Sequence, residues 1–379
     1  MKGRSLVFAV TLLCATPLVV HAQFDCSTNA DNTLTITNYT GPGGAVIIPT
    51  NIGALMVTSI GDGAFDSLGG LTSVTIADSI TNIGNNSFYN CSDLTSVTIS
   101  SNVVSIGNDA FGACEALASV AIPGSVTTIG ADAFYACESL TNATIAEGVT
   151  NIGAYAFADC NHLTAITIPG SVTSMGDYAF ENCFGLTNVT IANGVTTVGD
   201  YAFFFCDGLS SVTMADSVTN IGQDAFFHCS ALASVTIPAS VTNIGEMSFQ
   251  FCTNLTSVFF AGDAPNVDAT TFEQDKNPVA CYLPGTTGWA AFSSNTGLAA
   301  LLWNPVIQAS GTNFGVTSNQ FGFNITGTTN IPIVVRASAD LASPVWVSLT
   351  NVTLTNGLFY FSDPQWTNYT DRFYRISSP

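Results

Sequence analysis

The stretch VTNIGAYAFADCNHLTAITIPGS, residues 149–171, carries a pattern that the chain repeats every 23 residues. Phe157 marks the register, because a phenylalanine occupies its position in ten consecutive units. Cysteine, leucine and glycine recur with the same spacing at three further positions. Self-similarity at a fixed period of about 20–50 residues is typical of folds that stack one small unit per period. The phenylalanines are Phe65, Phe88, Phe111, Phe134, Phe157, Phe180, Phe203, Phe226, Phe249 and Phe272.

Each unit is predicted to form one coil of a stacked β structure. In LTAITIP, Ile166 and Ile168 alternate with Thr167, which is typical of a short strand with one buried face. Phe180 and Cys183 lie three residues apart, a spacing that suits short helical turns. A unit of this size cannot bury its apolar face alone, so equivalent strands are expected to stack in parallel about 4.8 Å apart. We therefore expect roughly eleven coils around one continuous core.

Two repeated residues are predicted to shape each coil. Phe157 and its equivalents are expected to fill the core as a column. Gly153 and its equivalents are expected to adopt backbone angles that larger residues resist.

The repeat resembles the leucine-rich repeats of the BspA-like bacterial surface proteins. The pattern SVTSMGDYAFENCFGLTNVTI, residues 171–191, carries a resemblance that extends over about residues 41–305. Residues 34–65 are similar to the usual opening of that family, and CYLPGTTGWAAF and LLWNP are similar to its closing segment. The resemblance implies a leucine-rich-repeat solenoid of the BspA type, a right-handed parallel β coil with short helical turns. It also implies protein-mediated binding or adhesion.

The repeat is predicted to degenerate at its C-terminal end. Asp275 occupies the cysteine position that follows Cys252, which fits a cap. Cys281 lies 23 residues after Val258, so we expect a last strand in which cysteine has replaced the core valine.

The cysteines of the repeat are predicted to be buried free thiols. Side chains at one position of adjacent coils point the same way, which suits the disulfide dihedral of roughly 90° poorly. A buried cysteine also behaves as a small apolar residue. Cys26 and Cys281 are expected near opposite ends of the rod, where they cannot pair. No metal or cofactor is predicted, because no histidine joins the cysteines at ligand spacing.

The chain is acidic and poor in charge. Its 379 residues include 26 Asp and Glu against 6 Lys and Arg, a net charge of −20. No Lys or Arg lies between Gln23 and Asp275. Such a surface repels phosphate, which argues against a nucleic-acid partner and favours a basic one.

The N-terminus is typical of a secretory signal peptide. Two basic residues precede an apolar run from Leu6 to Val20, and a small-residue cleavage pattern ends at Ala22. A membrane anchor is the alternative, but the run is short and Pro17 interrupts it. Removal of residues 1–22 leaves four cationic residues against 26 acidic ones, a net charge of −22. No later segment is continuously apolar over the length that a transmembrane helix needs.

The repeat stops after Pro305, and the rest of the chain is predicted to be all-β. Five strand-like runs, from QFGFNI to DRFYRIS, are separated by turn residues. This segment is similar to short C-terminal β-domains on exported proteins of environmental bacteria such as Verrucomicrobia. Attachment to a surface and an additional binding or capping module are both open roles. The predicted organisation is a signal peptide (1–22), an N-terminal cap (23–59), a solenoid with a C-terminal cap (60–305) and a small β-sandwich-like domain (306–379).

The sequence contains no recognisable catalytic arrangement. His162 and His228 occupy different repeat positions, and nothing marks three convergent groups of the Ser-His-Asp kind. Repetition alone places Asp177 and Asp200 one coil apart, so their pairing does not indicate acid–base chemistry. We therefore predict that the protein is not an enzyme.

Two surfaces are candidates for ligand binding. The first is the outward strand face, a flat rank of hydroxyls that includes Thr144, Thr167, Thr190 and Thr213. Parallel solenoids use such faces to bind extended partners, but threonine also simply suits strands. Regular threonines can also match ice, although Ala121, Ala165 and Phe259 interrupt the ranks.

The second surface lies on the turns. Tyr155, Tyr178 and Tyr201 occupy one position in three successive coils, next to Asp177 and Asp200. Aromatic residues dominate interface hot spots, so this cluster could bind a protein or a glycan. Local packing of the turn edge is the alternative.

The sequence thus predicts an exported, non-enzymatic leucine-rich-repeat protein, secreted or at a bacterial cell surface, that mediates protein binding or adhesion. A structural spacer of the cell envelope without a specific ligand and an ice-binding solenoid face are the alternatives. The oligomeric state and the ligand stay open.

Overall fold

The chain forms a parallel β solenoid followed by a small all-β unit. A computed structural model describes residues 23–311 and 313–378. The solenoid has about 12 turns and almost no helix, so the repeat fold expected from the sequence is confirmed. The predicted signal peptide lies outside the described residues.

An N-terminal hairpin covers the open end of the solenoid. Its two strands pair antiparallel, and the second pairs in parallel with a strand of the first coil. Tyr39 is buried, and its ring stacks on Phe65 at 5.1 Å. The hairpin strands are β1 (Phe24–Thr28) and β2 (Leu34–Tyr39), and the antiparallel pair β4 (Asn51–Ile52) and β5 (Leu55–Ile60) follows them.

Each coil contributes one longer strand to a parallel ladder, the strand face. Ile166 pairs with Val189, and Thr167 pairs with Thr190, so like residues stack in register. Buried and exposed residues alternate along strands such as Ala165–Ile168 and Asn188–Ile191, as the sequence predicted. The strands are β3 (Gly44–Ile47), β6 (Leu71–Thr75), β8 (Ser96–Thr98), β10 (Ser119–Ile122), β12 (Asn142–Ile145), β14 (Ala165–Ile168), β16 (Asn188–Ile191), β18 (Ser211–Met214), β20 (Ser234–Ile237), β22 (Ser257–Phe260), β23 (Val279–Tyr282) and β24 (Ala300–Leu302).

A second ladder of two-residue strands runs along another side of the coils. The threonine before many of these strands ties one coil to the previous one, as when the Thr150 hydroxyl donates to the Thr127 carbonyl at 3.0 Å. The strands are β7 (Asn82–Ile83), β9 (Ser105–Ile106), β11 (Thr128–Ile129), β13 (Asn151–Ile152), β15 (Ser174–Met175), β17 (Thr197–Val198), β19 (Asn220–Ile221) and β21 (Asn243–Ile244).

The segments around the phenylalanines form turns that contain no helix. Many of their backbone hydrogen bonds run between coils: the N–H groups of Tyr155, Phe157 and Asp159 donate to carbonyls of the next coil at 2.8–3.0 Å. Two residues of each turn, four positions apart, take left-handed angles, with φ of 56° at Tyr155 and 57° at Asp159. In a helical turn these N–H groups would instead donate to carbonyls of the same coil.

The repeated glycine is required because the backbones of adjacent coils approach each other closely there. The expectation that it supplies unusual backbone angles is wrong. At Gly107, a Cβ atom would lie 2.6 Å from the backbone of Asn85 in the preceding coil, and φ is not positive. Non-glycine residues hold the left-handed positions instead. Glycine is therefore needed because adjacent coils touch there.

Columns of like side chains fill the core. Phe111, Phe134 and Phe157 are fully buried, and successive rings stack 5.1–5.3 Å apart. The ten cysteines of the described chain are all free, as predicted. The Cys160 thiol donates to the Phe134 carbonyl at 3.3 Å. Burial raises the pKa of the Cys137 thiol to about 12.

The C-terminal end of the solenoid differs in register from the sequence prediction. Ala280, rather than Cys281, pairs with the core residue Val258, while Cys281 pairs with Phe259 on the outward side. The last repeat is therefore one residue short. A helix that the sequence analysis missed, α1 (Trp289–Thr296), closes the core with Trp289 and Phe292.

The C-terminal unit is all-β, as predicted, and consists of two antiparallel sheets that share one core. Its first sheet has the order β25-β27-β26 with β30 beside β27, and its second has the order β29-β28-β31. Phe259 and Cys281 of the solenoid belong to this core, so the unit sits on the last coils. The strands are β25 (Val306–Gln308), β26 (Gly315–Thr317), β27 (Gln320–Thr326), β28 (Pro332–Ser338), β29 (Val347–Thr353), β30 (Leu358–Asp363) and β31 (Phe373–Ser377), with a 3-10 turn at Trp366–Asn368.

Candidate functional site

The threonines predicted for the strand face lie where the sequence placed them. Thr144, Thr167, Thr190 and Thr213 are all exposed. The last three follow one another on the adjacent strands β14, β16 and β18. Within the described chain, none of these four hydroxyls makes a hydrogen bond to another protein group. These hydroxyls can therefore form hydrogen bonds with a ligand or with water.

Other threonines of the repeat are already used by the fold. The Thr164 hydroxyl donates to the Thr141 carbonyl at 3.2 Å, and the Thr187 hydroxyl donates to the Thr164 carbonyl at 3.0 Å. The sequence analysis did not separate these structural hydroxyls from the outward ones. The difference is one of position, because the structural threonines lie just before the strands.

The predicted tyrosines form a continuous stack on the turns. The ring centroids of Tyr155 and Tyr178 are 4.8 Å apart, and those of Tyr178 and Tyr201 are 4.3 Å apart. All three residues are half-buried. Burial and the neighbouring Asp224 carboxylate raise the pKa of Tyr201, so the phenol stays neutral and can donate a hydrogen bond.

Further aromatic residues extend this stack. Phe204 meets Tyr201 edge to face at 5.6 Å and stacks on Phe227 at 4.9 Å. Phe227 in turn meets Phe251 at 5.4 Å. We call the whole set the aromatic ridge, and its members are Tyr155, Tyr178, Tyr201, Phe204, Phe205, Phe227, His228 and Phe251.

Six residues of the aromatic ridge hold a strained backbone. The φ angles of Tyr155, Tyr178 and Tyr201 are 56°, 59° and 56°, and Phe205, His228 and Phe251 are also left-handed. Left-handed angles cost a side chain with a Cβ atom roughly 1–2 kcal/mol, and Asn and Asp tolerate them best. Asp109, Asp132 and Asn182 occupy the same kinds of position in other coils. The turn therefore does not need an aromatic residue.

Carboxylates border the aromatic ridge. Asp177 and Asp200 are exposed next to the tyrosines, and the Asp200 carboxylate accepts a hydrogen bond from the Gln223 backbone at 2.8 Å. Burial, and then Asp159, raises the pKa of Glu181. The structure thus brings all five predicted turn residues to one edge, while the predicted threonines lie on the strand segment of each coil.

A histidine–carboxylate pair within the aromatic ridge was not predicted. His228 Nδ1 lies 2.6 Å from an Asp207 carboxylate oxygen, and the His228 ring stacks on Phe205 at 4.6 Å. No serine, threonine or cysteine nucleophile among the described residues hydrogen-bonds to this imidazole. Among the described side chains, none form a cluster of three or more His, Cys, Asp or Glu that could hold a metal ion.

The C-terminal unit adds a second region that sequence reasoning missed. Arg336 on β28 lines a cleft together with Ser211 and Thr213 of the strand face. The only signal in the sequence was that this unit holds three of the four cationic residues that follow residue 22.

No helix of the described ranges combines the length and apolarity that a membrane crossing requires.

Comparisons with known proteins agree with the repeat. The family model described as the BspA type leucine rich repeat region matches six copies, over residues 58–187 and 173–284. No curated protein matches the chain.

Several solved structures resemble the chain in part. A leucine-rich repeat protein of T. pallidum is 22% identical, with 62% of this chain and 88% of that chain covered and a TM-score of 0.43. A leucine rich cell surface protein from Faecalibacterium prausnitzii A2-165 is 26% identical, with coverage of 72% and 96% and a TM-score of 0.37. The pneumococcal vaccine antigen PcpA is 17% identical, with coverage of 74% and 96% and a TM-score of 0.39.

Proposed function

Because the chain belongs to the BspA-type leucine-rich repeat family, we propose that it is an exported bacterial surface protein that binds another protein through the aromatic ridge. Leucine-rich-repeat proteins typically bind proteins. The family is not one of enzymes. The signal peptide predicted over residues 1–22 supports export to the cell surface or the medium.

The strained aromatic residues carry this proposal. Folding alone favours Asn or Asp at these positions, yet Tyr178, Phe205 and Phe251 occupy them with half-exposed rings. Backbone strain that packing does not require supports a binding role. Tyrosine and phenylalanine supply large contact areas with few rotatable bonds, which is why they recur at interface hot spots.

The surrounding charge supports a basic partner. Asp177, Asp200 and Asp207 border the ridge, and the solenoid has no cationic residue before Lys276. Arg and Lys side chains of a partner could pair with these carboxylates, while the outer edges of the stacked tyrosine rings supply apolar contact area. Complementary charge of this kind raises the association rate and makes it sensitive to salt.

The test compares three forms of residues 23–379 on an array of extracellular-matrix and bacterial surface proteins with a glycan array beside it. The first is the parent, and the second carries Tyr155→Asn, Tyr178→Asn and Tyr201→Asn. Asn suits the left-handed angles, so this variant should fold. We expect the parent to bind at least one basic protein and the triple variant to lose about tenfold or more in affinity, since each hot-spot residue contributes about 2 kcal/mol or more.

The matched control replaces three outward threonines, as Thr144→Val, Thr167→Val and Thr190→Val. These changes keep strand propensity and leave the ridge intact. Loss of binding in this control alone would assign the function to the strand face instead. Binding to glycans only would contradict a protein ligand, and a parent that binds nothing on either array would favour the spacer role.

A further inference from the structure

A polar cleft lies between the strand face and the C-terminal unit, away from the aromatic ridge. Its volume is about 560 Å³, within the range of roughly 300–1,000 Å³ that small-molecule sites occupy. Most of its polar groups are hydroxyls. On one wall they are Ser211, Thr213, Ser234 and Thr236, and the other wall includes Ser377 and Arg336.

Arg336 enters this cleft without a carboxylate partner among the described residues. Its Nε atom is buried, and no described group accepts a hydrogen bond from it. The residues that line the cleft include no Asp or Glu. By contrast, Arg372 in the same unit donates to the Asp363 carboxylate at 3.1 Å. A buried guanidinium donor without an acceptor is costly, which points to an acceptor supplied from outside.

A second guanidinium group lies beside the first. Arg375 on β31 pairs directly opposite Arg336 on β28, so the two side chains share one face of the sheet. Like charges at directly opposite positions destabilise a sheet. The Arg375 guanidinium rests on the Trp346 ring at 4.3 Å and remains exposed. An anion at this face would relieve the repulsion.

The backbone also changes at this point. The register of β28 against β29 shifts between Val335 and Arg336, which marks a bulge. Bulges re-aim a side chain and are frequent beside functional sites. The bulge therefore falls at the residue that reaches the cleft.

We propose that this cleft binds a small sugar that carries a carboxylate, such as a uronic acid. The planar fork of a guanidinium group matches a carboxylate with two parallel hydrogen bonds. The serine and threonine hydroxyls both donate and accept hydrogen bonds, as the hydroxyls of a sugar ring require. A peptide would need more apolar wall than this cleft offers, because its polar lining leaves few contacts for side chains.

The experiment measures binding of D-glucuronate to residues 23–379 by ligand-observed NMR, with D-glucose as the neutral match. We expect glucuronate to bind at least about tenfold more tightly than glucose, because a charged hydrogen bond contributes about 1.5–3 kcal/mol. Arg336→Gln should weaken glucuronate binding by about 10–100-fold, and Arg336→Lys should weaken it less because it retains the charge. Equal binding of both sugars, or no binding of glucuronate, would overturn the proposal.

Two controls separate the site from general charge effects. Lys276→Gln removes one positive charge from the solenoid, where Lys276 contacts Asn254, and should leave glucuronate binding unchanged. The tripeptide Gly-Glu-Gly should bind more weakly than glucuronate, and tighter binding would assign the cleft to acidic peptides instead.

Discussion

The phenylalanine column and the tyrosine stack are products of the same repeat, yet they differ in continuity, burial and backbone conformation. The phenylalanines run without interruption through ten units, are buried, and hold ordinary backbone angles. The tyrosines occupy three units, are half-buried, and hold left-handed angles. An unbroken buried column is what packing demands of a solenoid. An interrupted and strained column has no such reason, so the comparison separates residues that stabilise the fold from residues available for binding.

The largest effect is expected in the phenylalanine column. Phe157→Ala should lower the free energy of unfolding by about 3–5 kcal/mol, because it opens a cavity between two stacked rings and adjacent coils cannot close it. Urea denaturation followed by circular dichroism measures this loss. Phe184→Ala is the control, since this ring is 47% exposed. Equal midpoints for Phe157→Ala and the parent would contradict the stacked core.

The next effect concerns the point at which the cysteine column ends. Asp275 takes the place of a cysteine, its carboxyl oxygens are buried, and no described group bonds to them. Burial raises the pKa of this carboxyl to about 8, against an ordinary value of 3.8. The folded state therefore holds a proton that the unfolded state loses, so this group lowers the stability as the pH rises from about 4 to about 8.

Asp275→Asn should remove this pH dependence. The amide stays neutral, so the variant should equal the parent near pH 4 and exceed it near pH 8 by a few kcal/mol, because each unit by which the carboxyl pKa is raised corresponds to about 1.4 kcal/mol at most. Thermal unfolding at several pH values measures the difference. Asp177→Asn controls for the loss of one negative charge at an exposed position. A variant that is less stable than the parent at pH 8 would mean that Asp275 has a partner in the fold.

Sequence alone predicted most of the solenoid and little of its ends. The 23-residue period fixed Phe157, Cys160 and Ile166 in the core, because one contact repeats in every coil. It could not locate the missing residue before Cys281, since both alanine and cysteine fit a core position. The helix Trp289–Thr296 was missed because it occurs once, although Gly288 and Gly297 flank it.

The candidate sites also differ in how far the sequence could predict them. The tyrosine stack could be predicted because like residues one period apart must lie in neighbouring coils. The strain at Tyr178 could not, since the sequence indicated helical turns there. The cleft at Arg336 depends on how the C-terminal unit packs against Phe259. That contact joins residues far apart in the chain, and no local sequence pattern predicts it.

The smallest effect is expected in the tyrosine stack, and it decides the comparison. Tyr178→Asn removes stacking with Tyr155 and Tyr201, which contributes about 0.5–1.5 kcal/mol beyond burial. It also relieves a left-handed tyrosine, which costs roughly 1–2 kcal/mol. The two terms oppose each other, so the free energy of unfolding should change by less than about 1 kcal/mol. Urea denaturation beside Phe180→Ala in the same coil gives the matched comparison. If Tyr178→Asn lowered the free energy of unfolding as much as Phe180→Ala, the tyrosines would be part of the packed structure. That result would contradict the aromatic ridge as a binding surface.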